Sequence, residues 1–288
     1  MRTPDPAAPS PLQTTAGTGT PPTEGGTLIA YRLPAPAPYL PLWDWQREAA
    51  AARAADRIRD TLLLLEHDHV YTIGRRGDET NLLVDAETLA ALGARCHRID
   101  RGGDITYHGP GQLVGYPIVR LRGAGRAVRQ YIGGLEAALV ATAGHFGVEA
   151  APVPGRTGVW VGREKLAAIG VTVRHGVAYH GFALNVTTDL TYFRHIVPCG
   201  LPDGDVTSLA ALLGRAIALD AVVPVCAGAI ATALGLRLRW APTDDLPALP
   251  VYTPSRADDR ASTNYTTTTN RCERNATWAG PECSKSPR

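Results

Sequence analysis

Residues 164–186, EKLAAIGVTVRHGVAYHGFALNV, narrow the fold of this chain more than any other stretch. Two β-rich runs meet at His175-Gly176, and an X-Gly pair is a two-residue turn signal between strands. Facing Arg174 with Val177 fixes a register in which Ala168 lies opposite Ala183 and Gly170 opposite Gly181. Side chains alternate along a strand, so these four share one face while Ile169 and Phe182 point to the other. The expected product is a hairpin with a flat, small-residue floor backed by a core. Two occupants suit such a floor: a closely packed helix, or a slender apolar ligand chain. Strict alternation puts Lys165 on the Ile169 side, so Lys165 reaches the floor only through a bend at the strand's start or a bulge.

Around this hairpin helices and strands mix. TLIAYRL (27–33) and TLLLLEH (61–67) read as strands, and the Ala/Arg-rich 41–59 reads as a helix. In 127–146 Val128, Ile132, Leu135, Leu139 and Phe146 fall on one helical face. DAVVPVCAGAIATALGL (220–236) reads as a buried helix with an early proline. The order does not alternate strictly as βαβ, which favours α+β with a mixed central sheet over a doubly wound fold. Residues 1–26 and 242–288 carry few large apolar side chains and cannot offset the entropy of ordering. Both are expected to be disordered tails on one domain at 27–241.

Hydrophobic residues make up 44% of the chain, enough for a sizeable core, and the formal net charge of +2 demands neither a nucleic-acid nor an anionic-membrane partner. No apolar run approaches the ~18 residues of a membrane span. The start, MRTPDPAAPSPLQ, has no basic n-region or apolar h-region, so no signal peptide is expected. The five cysteines, Cys96, Cys199, Cys226, Cys272 and Cys283, are odd in number and lack metal-ligand spacing. They read as reduced thiols of a cytoplasmic protein.

Three stretches carry chemistry. Of 29 basic residues only Lys165 and Lys285 are lysines, and Lys285 lies in the polar tail. RGGDITYHGPGQLVGYPI (101–118) combines five glycines and prolines near its start with Arg101, Tyr107, His108 and Gln112. Glycines permit close backbone approach to a ligand, and the donors are dense for a plain turn. The stretch lacks the pattern of a phosphate-binding P-loop. In FRHIVPCGLPDGDVTSL (193–209) Cys199 sits between Pro198 and Gly200 in a polar loop, where a thiol is exposed and reactive, whereas Cys96 and Cys226 read as small buried hydrophobes.

Taken together, RGGDITYHGPGQLVGYPI, KLAAIG, HGFALNV and VPCG resemble, in order and spacing, the lipoyl(octanoyl) transferases of lipoate biosynthesis. EHDHVYTIGRR (66–76) is similar to the family's upstream segment. The resemblance covers roughly 27–241, and the long C-terminal extension departs from the family's usual length. It implies a biotin/lipoyl protein ligase-like α+β fold, with a central mixed sheet, flanking helices and a small C-terminal subdomain near 205–241. It also implies ping-pong acyl transfer without ATP or metal. Cys199 takes octanoate from acyl carrier protein as a thioester and passes it to a lysine on a lipoyl domain. The recipients implied are the lipoyl domains of 2-oxoacid dehydrogenases and the glycine cleavage H protein. By matching position, Arg101, Gly102, Gly103, Asp104, Ile105, Thr106, Tyr107 and His108 line the substrate site, with Tyr107 and His108 close to the thiol. Ala168, Ile169, Gly170, Gly181, Phe182 and Ala183 contact the acyl chain, in agreement with the hairpin floor. His67 is an additional candidate, and His180 lies beside the floor.

The dyad partner of Cys199 in this family falls on Lys165, and the physics suits a lysine. A free thiol with pKa ≈ 8.5 is only a few per cent thiolate near pH 7. An ammonium about 4 Å away stabilises the anion by up to ~4 kcal/mol at an effective dielectric of ~20, at most roughly 3 pKa units. Arginine supplies the same charge but cannot later take a proton from the attacking amine. A lipoate or biotin ligase would share the fold but activate a carboxylate with ATP and need no Cys199. A non-catalytic scaffold for carrier or lipoyl domains would never be acylated, and a cysteine hydrolase would need a His/Asp-supported thiol that no motif marks.

Overall fold

The computed structural model describes residues 26–33, 36–121, 126–197 and 206–248. At its centre is β2 (Asp60–Leu65), DTLLLL, buried at every position. A strand that is apolar on both faces needs cover on both. Leu62 and Leu64 join a core with helices α3 (Arg126–His145) and α5 (Leu219–Ala233), through Leu135, Leu139, Cys226 and Ile230. Leu63 and Leu65 face the other way, toward Leu42 and Trp45 of α1 (Tyr39–Ala54).

The strands flanking β2 build an eight-stranded sheet. In spatial order it runs β11 (Arg237–Trp240), β1 (Thr27–Arg32), β2, β6 (Gln112–Arg120), β10 (Val177–Asn185), β9 (Glu164–Arg174), β8 (Arg156–Val161) and β7 (Ala151–Val153). β1 is parallel to β2 and β11, while β2 and β10 are antiparallel to β6, so the sheet is mixed as expected. A second, three-stranded sheet, β4 (Arg95–Arg98), β3 (Val70–Ile73) and β5 (Ile105–His108), leads into the large one through the Gly109-Pro110-Gly111 turn.

The hairpin pairs in the expected register, with Arg174 opposite Val177, Gly170 opposite Gly181 and Ala168 opposite Ala183. Its lysine is placed by a bulge: Val159 faces Ala167 but Trp160 faces Lys165, so one residue of β9 is extra there. Three expectations shift. In α3 Leu135 and Leu139 are core, but the buried face runs through Tyr131 and Ala138, and Ile132 turns to a cavity instead. The segment after 205 does not stand apart, because α5 shares the main core and β11 extends the main sheet beside β1. The ordered chain also passes residue 241: Tyr31 and Trp45 donate to the carbonyls of Asp245 and Pro247, and Leu246 packs on the core. The remainder of the two expected tails lies outside the described residues.

Gly181 is a glycine because β6 comes too close for anything else. A Cβ there would lie 2.2 Å from the Gly115 carbonyl oxygen and 2.6 Å from Pro117 Cδ. Both obstacles are backbone or ring atoms that cannot swing aside. Gly181→Ala is therefore expected to lower stability by about 3 kcal/mol, the upper part of the overpacking range, read as a drop in the urea midpoint at unchanged slope. A midpoint equal to wild type would show that β6 and β10 separate freely.

Candidate active site

A cavity of about 720 Å³ opens over the hairpin floor. Ala168, Ile169, Gly170 and Ala183 form part of its wall, Lys165 and Trp160 stand at the β8–β9 end, and Arg101 to Thr106 cross it. A chamber of about 30 Å³ adjoins it and takes in Gly181, Phe182, His108 and His180. A larger cleft of about 980 Å³ lies at the far end of β6, between Arg57, Asp60, Arg120 and Gly235, and holds none of the candidate residues.

The Arg101–Asp104 turn is fixed to the floor itself. Gly102 N–H donates to Val171 O at 3.0 Å, and a Cβ on Gly170 would sit 3.0 Å from Arg101 Cδ and Gly102 O. What covers the floor at Gly170 is thus this turn, not a helix. Arg101 is buried, its guanidinium donating to Thr72 Oγ1 at 3.0 Å and to the Gly102 carbonyl at 3.0 Å. Asp104 borders the cavity, but its carboxylate is engaged in holding backbone. It accepts from Ile105 N–H (2.7 Å), Asp78 N–H (3.2 Å) and Asn81 Nδ2 (2.7 Å).

Alternation along β5 divides the next residues. Thr106 and His108 face the two cavities. Tyr107 turns the opposite way, contrary to expectation, into the core of the small sheet with Tyr71 and Phe193, and lines neither cavity. Its hydroxyl meets His69 Nδ1 at 2.7 Å. His108 Nδ1 donates to Gln112 Oε1 at 2.8 Å, and the Gln112 amide donates to Asn185 Oδ1 at 2.9 Å. Asn185 Nδ2 in turn donates to Thr207 O (2.9 Å), and Thr207 N–H to Lys165 O (3.0 Å). A single chain of hydrogen bonds thus runs from His108 to the backbone of Lys165. In the sequence Gln112 stands out only as one donor of the 101–118 stretch, and Asn185 is not among the candidates; its sequence signal is an amide within a strand pattern.

Lys165 Nζ lies 4.9 Å from the Trp160 ring centroid, within cation–π range. Gly158, at φ +126, clears the space for its stem, since a Cβ there would be 3.3 Å from Lys165 Cε. Cys199 lies outside the described residues, but both ends of its loop are anchored here. Val197 N–H donates to Asn81 O at 2.8 Å, and Val206 bridges to Lys165. Cys226 is a buried thiol whose pKa burial pushes up to about 12, against a hydrogen bond from Thr142, and Cys96 is half-buried.

His67 borders neither cavity. It is buried, with Nε2 2.6 Å from Tyr116 Oη and Nδ1 2.7 Å from Ala37 O. Burial lowers its pKa to about 4, against the Ala37 hydrogen bond. Burial and then the neighbouring His67 lower His108 to about 3. Both imidazoles are therefore neutral at ordinary pH.

Residues 38–231 match the family described as the lipoyl protein ligase A/B catalytic domain. The chain belongs to this family. Its curated relatives include an octanoyltransferase of Solibacter usitatus, 54% identical over 177 residues (62% of this chain, 80% of the relative). An octanoyltransferase of Rubrobacter xylanophilus is 49% identical over 197 residues (68% and 88%). Within the family the chain is thus an acyltransferase of the octanoyltransferase kind. The fold is that of a lipoate-protein ligase A bound with ATP (TM-score 0.59, 18% identity, covering 77% and 90%). A putative lipoate protein ligase from T. acidophilum with bound lipoic acid shares it as well (TM-score 0.58, 17% identity, covering 85% and 95%). Among the described residues no helix is long and apolar enough to cross a membrane.

The two neutral histidines give the octanoyltransferase fold a defined pH response. Unfolded, each takes up a proton near pH 6.5; folded, only near pH 4 and 3. The unfolded state binds more protons in between, so stability is full above pH 6.5 and falls as pH is lowered, by about 1.4 kcal/mol per pH unit for each group. Urea unfolding between pH 6 and 4.5 should show that acid-side loss, and His67→Gln should remove one histidine's share of its slope, leaving those of His108 and His180. A flat profile would mean that these imidazoles charge freely in the fold.

Proposed function

We propose that this acyltransferase moves an octanoyl group from acyl carrier protein to the ε-amine of a lipoyl-domain lysine by way of a thioester on Cys199. The observation that carries this reading is Lys165, the sole lysine between residues 1 and 284. It stands at the wall of a small-residue cavity and its backbone is bridged to Val206, where the Cys199 loop ends. The Cys199 thiolate attacks the carrier thioester, the carrier thiol leaves with a proton, and the acyl-enzyme forms. The lipoyl-domain amine then attacks, the Cys199 thiolate departs, and an amide remains. No ATP or metal enters this scheme, and the chain works in the cytoplasm.

Lys165 supports each half-reaction differently. As an ammonium it favours the Cys199 thiolate; as an amine it takes the proton that the incoming nucleophile must lose. Trp160 holds the Lys165 head beside the cavity without neutralising it, since a ring face attracts a cation but accepts no proton. The recipients of the acyl group in this reading are the lipoyl domains of 2-oxoacid dehydrogenases and the glycine cleavage H protein.

Intact mass after exposure to octanoyl carrier protein tests the scheme. The wild type should gain one octanoyl group without ATP, and Cys199→Ala none. Lys165→Arg should still acquire the group but pass it to a lipoyl domain at least about 100-fold more slowly, the low end of what a general base contributes. Normal transfer by the Arg variant would remove the proton-acceptor role, and acylation of Cys199→Ala would remove the thioester.

A further inference from the structure

His180 is held in a way that its strand does not require. It lies within β10, yet its φ is +57, a left-handed conformation that a non-glycine side chain seldom adopts. Its N–H donates to Gln46 Oε1 at 3.0 Å, and the ladder between β10 and β6 skips residues 179–181, opposite Pro117, which has no N–H to give. The turned backbone points the imidazole at Asp100, 2.8 Å from Nε2 to Oδ1.

That contact fixes the tautomer. Asp100 also accepts from Trp43 Nε1 (2.9 Å) and from the Tyr179 hydroxyl. Burial opposes its negative charge, but these hydrogen bonds outweigh burial and hold its pKa well below the ordinary value. An ionised carboxylate only accepts, so His180 carries its proton on Nε2. Burial lowers the His180 pKa, and Asp100 offsets part of that, so the ring is neutral. Nδ1 is then a bare acceptor. It is fully buried, with no hydrogen-bond partner among the described residues, on a residue 1% exposed.

A bare buried acceptor needs a donor, and the space beside it limits which. His180 walls the chamber of about 30 Å³, which shares Arg101, Thr106, Ala168, Gly170 and Ala183 with the main cavity. That volume admits a water molecule, for which about 10–15 Å³ suffices, but no length of hydrocarbon. We propose that His180 is the end wall of the acyl slot: Nδ1 holds a water molecule in this chamber, and the pair sets the longest acyl chain that is accepted.

The dimensions agree. From Lys165 to Ala168 the bulge leaves two regular steps, about 7 Å along the strand. The seven C–C bonds of an extended octanoyl chain, about 1.5 Å each in zigzag, span on the order of 9 Å. A chain with its carbonyl beside Lys165 runs the whole of that span, and its last carbons reach the Ala168–Ala183 pair at the mouth of the chamber. A longer chain would have to expel the water and leave Nδ1 facing a methyl group. Asp100 acts through His180 and is a positioning residue.

This inference rests on the acyl-transfer reading, and the test separates the two. Full-length wild type and His180→Asn are compared by kcat/KM on octanoyl, decanoyl and dodecanoyl carrier protein. Asn tolerates positive φ and can still donate to Asp100, but it is shorter and opens the chamber. One methylene in a pocket is worth roughly 10- to 200-fold, so the decanoyl-to-octanoyl ratio should rise by at least about tenfold in the variant. A ratio unchanged from wild type overturns the end wall, because a merely structural role lowers all chain lengths together. Nitrogen-15 spectra of histidine-labelled wild type give a reading that no folding defect can spoil. His180 Nδ1 should show the shift of an unprotonated nitrogen at pH 7 to 8, and a protonated Nδ1 there overturns the proposal. Absence of any acyl transfer by the wild type would instead sink the acyltransferase scheme, and the nitrogen spectrum still decides the state of Nδ1.

Discussion

One buried side chain, Gln112, couples the parts of this molecule that matter for chemistry. It opens β6 just after the Gly109–Gly111 turn, where the small sheet becomes the large one. Its amide spans three strands, receiving from His108 Nδ1 and donating to Tyr107 O and to Asn185 Oδ1. A buried primary amide is costly unless its donors and acceptor are matched, and here all are. The turn beside it is locked as well: Gly111 N–H donates to Glu66 Oε2 at 2.7 Å, and Gly111 O accepts from Val186 and Thr187 N–H. Remove that junction and the Arg101 turn, the hairpin floor and Lys165 lose their common frame.

The charges near the small chamber are likewise met by hydrogen bonds. Arg101 lines the small chamber and donates to Thr72 Oγ1 and the Gly102 carbonyl, while Asp100, behind His180, accepts from Trp43 and His180. The histidines between them stay neutral because burial dominates their titration. A neutral imidazole surrounded by hydroxyls and amides sets direction without adding a buried charge, and buried charges are the expensive element of any interior. The slot above can therefore be lined with alanine and glycine while its inner end stays polar.

The sequence made much of this legible, and the limits have physical causes. The hairpin register followed from period-two alternation and one turn signal, and the Ala168–Ala183 and Gly170–Gly181 pairs emerged as expected. β2 and the helices were legible because long apolar runs and helical periodicity are local properties. Tyr107 was misplaced because motif membership says nothing about which face of a four-residue strand a side chain takes. Asp104 looked like a ligand residue but holds the Asp78 backbone and the Asn81 side-chain amide, partners more than twenty positions away. The Asp100–His180 pair and the role of Gln112 depend on contacts across 80 and 73 positions. No window along the chain contains such contacts.

The bulge before Lys165 shows why one local irregularity outweighs a whole pattern. Had β8 and β9 paired without the extra residue, alternation would have sent Lys165 to the Ile169 side, into the core against α3. There a lysine would be stripped of water and neutralised, because an unpaired buried ammonium is too costly to keep. The one-residue shift instead brings its stem across Gly158 and its head beside Trp160 at the cavity wall. There the face of the indole ring attracts the ammonium within cation–π range. Arginine in the same place would keep its charge through every step. A strand irregularity, a glycine and an indole thus together hold the sole lysine between residues 1 and 284 at the wall of the cavity.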